Sequence, residues 1–129
     1  MFIVNIFKEV IYLKYNVNIV EVGSNVEDML KTGLLILFNQ SAPEDLKPFC
    51  VVTEENKHDG QVESGDVVSI VGCTYKVTAV GNIVNENLYS LGHASLCFDG
   101  AKKAQLPGHI HLTPGFESDL SNLGEITIK

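Results

Sequence analysis

The stretch Val67-Val-Ser-Ile-Val-Gly-Cys-Thr-Tyr-Lys-Val-Thr-Ala-Val80 decides the fold class. Two runs rich in β-branched and aromatic residues flank Gly72, and Gly81 ends the second run, which is the signature of a β-hairpin. Similar short segments lie on both sides. Tyr15, Val17 and Ile19 alternate with Asn16 and Asn18, as a half-buried strand requires. Leu34–Phe38 and Phe49–Thr53 are short apolar runs suited to central strands. Ala94–Phe98 precedes the turn signal Asp99-Gly100, and His109–Thr113 and Glu125–Ile128 complete the set.

Two segments have helical character. Ser24-x-x-Glu27 has the form of a capping box opening Val26–Lys31, with Gly33 as the stop. Within Asn82–Leu91, Ile83, Val84, Leu88 and Leu91 fall near one helical face. Pro43 favours a further helical turn over Ala42–Leu46. Many short strands with frequent glycine punctuation and one or two small helices predict a mainly β protein, a barrel or sandwich.

Composition narrows the function. The chain has 129 residues, 45% of them hydrophobic and 19% charged, which describes one folded domain. Its 9 basic and 16 acidic residues give a formal charge of −7, and every basic residue is lysine. An acidic surface is repelled by a phosphate backbone, so nucleic acid is not an expected partner. Without arginine there is no bidentate fork for phosphate, so phosphate chemistry must use histidine, lysine or backbone N–H groups. No apolar run approaches the ~18 residues of a membrane span. Cys50, Cys73 and Cys97 are an odd number at wide spacing in apolar runs, as expected of reduced thiols in a cytoplasmic protein.

Residue patterns alone leave the chemistry open. His109-x-His111 places two imidazoles on one face of a strand, a partial metal pattern for which the neighbouring sequence offers no third ligand. His93 follows Gly92 between a helix and a strand, and His58 lies in the polar stretch Glu54–Asp59. Glu54 and Glu55 are adjacent, so on a strand they face opposite ways and cannot act as a dyad. No phosphate-binding glycine loop, Gly-x-Ser-x-Gly or Cys-x-x-Cys is present, and no cofactor is indicated.

Two long segments carry a resemblance. Leu34–Leu46 and Tyr75–Gly100, which contains Val77-Thr-Ala-Val-Gly81, Leu91-Gly-His93 and Phe98-Asp-Gly100, resemble the glucitol/sorbitol-specific enzyme IIA component of the bacterial phosphoenolpyruvate:sugar phosphotransferase system. Leu106-Pro-Gly-His-Ile-His111 fits the same family, and the likeness runs from about Leu13 to the C-terminus. It implies a closed β-barrel over residues 13–129. It also implies a cytoplasmic phosphotransferase component that takes a phosphoryl group from HPr onto a histidine. That group then passes to the IIB part of a IIB/IIC sugar permease, and contact with the membrane is made only through that permease.

The resemblance also exposes a departure. It places the phosphohistidine directly after the Phe49–Val52 segment, at the position held here by Thr53. A threonine phosphoester has too little transfer potential to pass the group onward. Three readings follow. His58 occupies the site through a shifted loop; His93, which matches the family's Gly-His segment, serves beside Thr53; or the protein has lost phosphotransfer and acts as a binding or regulatory module.

Residues 1–12 form an N-terminal extension to this domain. Lys8–Ile11 can be encoded by a purine-rich stretch resembling a ribosome-binding site, which points to Leu13 as the true start; the rival expectation is an authentic strand at Phe2–Phe7. The mass of the natively expressed protein is expected to lack Met1 if Leu13 initiates, and a mass that includes it removes that expectation.

Overall fold

The computed structural model describes residues 2–6, 9–56 and 60–129. In chain order the elements are β1 (Phe2–Ile6), β2 (Glu9–Leu13), β3 (Tyr15–Val22), α1 (Val26–Lys31), β4 (Leu34–Asn39) and β5 (Cys50–Thr53). There follow β6 (Val67–Ile70), β7 (Cys73–Val80), α2 (Val84–Leu91), β8 (Ala94–Cys97), β9 (His109–Leu112) and β10 (Gly124–Ile128). Eight strands close into a barrel in the order β10-β3-β5-β4-β8-β9-β7-β6, and β1 and β2 form an antiparallel sheet of their own. The barrel, of the two β architectures expected, is the one adopted. Strand β1 covers most of the segment expected at Phe2–Phe7.

Closure follows from the alternation. Along β3 the residues Tyr15, Val17 and Ile19 turn inward, and along β6 Val68 and Ile70 do the same. The β6–β7 hairpin turns at Val71 (φ 48°) and Gly72 (φ 85°), the doubly positive turn whose twist matches that of antiparallel strands. A β-branched residue is strained there; Val71 packs its side chain against the barrel core, which offsets the strain. An eight-stranded barrel is only wide enough to be filled by its own side chains. Leu35, Leu37, Leu96, Ile110 and Ile126 fill this one, each at most 1% exposed. Burying each contributes roughly 1.5–3 kcal/mol. The interior is therefore a core, and binding chemistry belongs to the rim and outer face.

Two pairings are parallel, β4 with β5 and β8 with β9. Parallel neighbours need a connection that runs back along the barrel. Residues 40–49 and 98–108 supply these connections and lie outside it. The first includes the bonds from Leu46 N–H and Lys47 N–H to the Pro43 carbonyl, the helical turn expected after Pro43, and ends in a single 3₁₀ turn at Lys47–Phe49.

The helices differ in detail from the sequence expectation. Helix α1 starts from Asn25, and no side chain caps it, so the Ser24/Glu27 capping box does not form. The Asn25 N–H donates to the Pro48 carbonyl at 2.8 Å. Gly33 ends this helix with φ 81°. Helix α2 begins at Val84, and only Val84 and Leu88 are buried; Ile83 and Leu91 are 40% and 38% exposed.

Gly81 marks a close approach of chains. A Cβ there would meet the Leu106 carbonyl oxygen at 2.6 Å and overlap the Pro107 carbonyl. The Gly81 N–H donates to the His109 carbonyl at 2.8 Å, which ties β7 to β9 at this point. Gly81→Ala is expected to cost about 1–3 kcal/mol by overpacking, read as a lower midpoint of urea unfolding.

Candidate functional site

His93 is placed by the end of α2. Gly92 adopts φ 59° and donates to the Leu88 carbonyl at 3.1 Å, and the His93 N–H reaches back to the Asn87 carbonyl at 3.2 Å. The Gly92 bond to Leu88 is the αL cap, which needs a left-handed residue at its turn. A side chain at Gly92 would also press on Asn39 Cβ at 3.0 Å. Glycine is thus required twice, for conformation and for space.

The His93 ring then lies on Phe38, with ring centroids 4.5 Å apart and planes at 31°. Its Nδ1 sits 3.0 Å from the Leu37 carbonyl oxygen. A carbonyl can only accept, so Nδ1 carries a proton, and in the neutral ring Nε2 presents its lone pair. Among the described residues Nε2 has no hydrogen-bond partner, and the ring is half-buried. This is the arrangement a histidine nucleophile requires: fixed tautomer, fixed ring, one free nitrogen.

Thr53 stands elsewhere. It is 0% exposed and points into the barrel beside Val51, on the opposite face of the sheet from His93 and Phe38. Its neighbour there is Tyr15, whose phenol burial pushes up and the Thr53 side chain partly lowers. Thr53 and His93 thus project from opposite faces of the sheet, with Asn39, the β4 partner of Thr53, packed close to Gly92, and the Thr53 hydroxyl is enclosed. His58 lies outside the described residues.

The other two histidines occupy the outer face of β9. His111 is 0% exposed; its Nδ1 is 2.8 Å from Asp99 Oδ1, and its Nε2 accepts from the Gln105 N–H at 3.3 Å. Partial burial pushes the Asp99 carboxyl up, but the bonds from the Ala101 N–H and His111 outweigh it and hold the group below the usual range. His109 lies beside His111, ring centroids 5.6 Å apart, and among the described residues its buried Nδ1 has no hydrogen-bond partner. Burial, and next the His111 charge, lower the His109 imidazole against the opposing effect of Asp99.

Sequence spacing provides His109 and His111 with no third ligand-type side chain, but the fold brings Cys97 alongside them. Parallel pairing sets Cys97 opposite His111 and Ser95 opposite His109. Cys97, His109 and His111 bring one ligand atom each within 4.8 Å of one another. Burial, reinforced by the Asp99 charge, pushes the Cys97 thiol up to about 11. The two-residue alternation about Leu96 shows that Cys97 faces outward, but only the strand order reveals the neighbour it faces.

The molecule is thus a small closed barrel packed to its centre, with an oriented imidazole on its rim. The match to the phosphotransferase-system glucitol/sorbitol-specific IIA component family spans residues 14–128, and the chain belongs to that family. It is 34% identical over 107 residues to the glucitol/sorbitol-specific EIIA components of Shigella flexneri and Escherichia coli K12, covering 83% of this chain and 87% of each relative. The crystal structure of a phosphotransferase-system IIA component from Enterococcus faecalis V583 superposes with a TM-score of 0.73 at 26% identity, covering 88% of this chain and 97% of that one. No helix among the described residues is long and apolar enough to cross a membrane.

The tautomer of His93 is directly measurable. ¹⁵N spectra of the neutral ring are expected to show Nδ1 protonated and Nε2 bare. The reverse assignment would break the Leu37 anchor.

Proposed function

We propose that this protein is a cytoplasmic phosphoryl carrier of a hexitol phosphotransferase system, loaded by HPr and discharged to the IIB part of the permease, with His93 Nε2 as the acceptor. The observation that carries this reading is the 3.0 Å bond from His93 Nδ1–H to the Leu37 carbonyl, which leaves Nε2 as the nucleophile on an accessible edge of the barrel.

The chemistry is a displacement at phosphorus. The Nε2 lone pair of His93 forms the new N–P bond as the N–P bond of the HPr phosphohistidine breaks. The freed electron pair returns to the HPr imidazole. Nδ1–H stays bonded to the Leu37 carbonyl, which stabilises positive charge on the ring as Nε2 gives up its pair. Catalysis in such transfers is mostly positioning and electrostatics, so holding the ring against Phe38 contributes directly. The product phosphoramidate keeps a high transfer potential, as a carrier must.

A second reading has its own observation. Thr53 is fully enclosed at the position where the family resemblance places the phosphohistidine. A protein that retained the docking surface without an acceptor would bind HPr or the permease and transfer nothing.

Incubation with enzyme I, HPr and labelled phosphoenolpyruvate separates the two. Acid-labile, base-stable label is expected on the wild type and on His58→Ala, and none on His93→Ala. Label lost in His58→Ala and kept in His93→Ala would move the acceptor to residue 58. An unlabelled wild type, under conditions that load a sorbitol IIA control, leaves the docking reading.

A further inference from the structure

We propose that Cys97 Sγ, His109 Nδ1 and His111 Nε2 form a zinc site on the outer face of β8 and β9, with Asp99 as the carboxylate that orients His111. This site is separate from His93 and does not depend on the carrier reading.

Four observations converge on it. The ligand atoms come from adjacent parallel strands whose pairing sets Cys97 opposite His111, so their approach is a property of the barrel rather than of mobile loops. One thiolate and two imidazoles are a soft set that suits zinc, and three protein ligands leave a fourth tetrahedral position for water. Among the described residues, the buried His109 Nδ1 has no hydrogen-bond partner. Such a group costs free energy where it stands, and a metal ion would satisfy it. Finally, Asp99 accepts the Nδ1–H of His111 at 2.8 Å. That carboxylate–histidine arrangement fixes the tautomer so that Nε2 faces the metal.

Binding has defined consequences. Tetrahedral zinc, with bonds of about 2.0–2.3 Å, draws the ligand atoms closer than the present 4.8 Å limit. The Cys97 thiol releases its proton to solvent as the Zn–S bond forms. The Gln105 N–H gives up its 3.3 Å bond to His111 Nε2, so the 98–108 connection becomes anchored through the metal shell instead. Zinc and one thiolate leave a net charge of +1, which the adjacent Asp99 neutralises.

The test uses the full chain. Zn²⁺ is titrated against a chromophoric chelator, and Co²⁺ is followed by absorption. One equivalent is expected to bind, with a thiolate-to-cobalt charge-transfer band. Cys97→Ser is expected to abolish that band, and both Cys97→Ser and His109→Gln to weaken zinc binding at least tenfold. Asp99→Asn is expected to weaken it about 10–100-fold. His58→Ala is the background control and should bind as the wild type does. Failure to bind one equivalent, a cobalt complex without the thiolate band, or unchanged affinity in Cys97→Ser and His109→Gln would each overturn the site. Should Cys97→Ser fail to fold, the half-buried His109→Gln carries the mutational test. The ¹⁵N shifts of His109 Nδ1 and His111 Nε2 in the wild type must then move on adding zinc, and static shifts overturn the site equally.

Discussion

The parallel pairing of β8 with β9, and of β4 with β5, is the constraint on which the rest of the molecule depends. An all-antiparallel barrel of this size could close with tight hairpins. Two parallel pairs force two connections to travel back along the outside. These connections carry few regular backbone bonds, so their polar groups are satisfied individually by the barrel surface. The Ser95 N–H bonds the Gly108 carbonyl, the Gly100 N–H bonds the Leu112 carbonyl, and the Gln105 N–H bonds His111 Nε2. The outer face is thereby covered, and polar side chains on β8 and β9 are buried without entering the core.

The interior has a complementary role. It is closed by packing, and one of its ends is sealed through Tyr75. The Tyr75 hydroxyl accepts from Glu117 N–H and Ser118 N–H at 2.9 and 3.1 Å, while the Ser118 hydroxyl donates to the Ile70 carbonyl at 2.7 Å. The ring meets Phe98 edge-on and stacks with Phe116. Such a barrel is a rigid platform. It holds the His93 imidazole in one orientation without lending it a cavity.

Thr53 and His93 show how far neighbouring positions can diverge in environment. Asn39 pairs with Thr53, and Leu37, two residues back on the same strand, supplies the carbonyl that anchors His93. One residue faces the packed interior and the other the rim. A hydroxyl enclosed beside Tyr15 cannot exchange phosphate with a protein partner, whatever its intrinsic chemistry. The imidazole resting on Phe38 is only half-buried.

Much of the architecture was legible in the sequence. Period-2 alternation at Tyr15–Ile19 and the Val67–Val80 hairpin are local consequences of the strand pleat, and the family likeness rests on runs that need no coordinates. The capping box did not form: helix α1 starts one residue later, at Asn25, whose N–H bonds the Pro48 carbonyl, distant in sequence. The same reason covers the sites. The strand period placed His109 and His111 on one face, but the nearness of Cys97 is set by hydrogen bonds between strands, and no local pattern encodes them. The Gly-His pair at 92–93 was visible, whereas the Leu37 carbonyl that selects its tautomer belongs to another strand. By itself the sequence determined strands, turns and family, because these follow from short-range sterics and residue identity. Only the tertiary structure decided which nitrogen is free, which hydroxyl is enclosed and which thiol meets which imidazole, because those depend on the register of segments far apart in the chain.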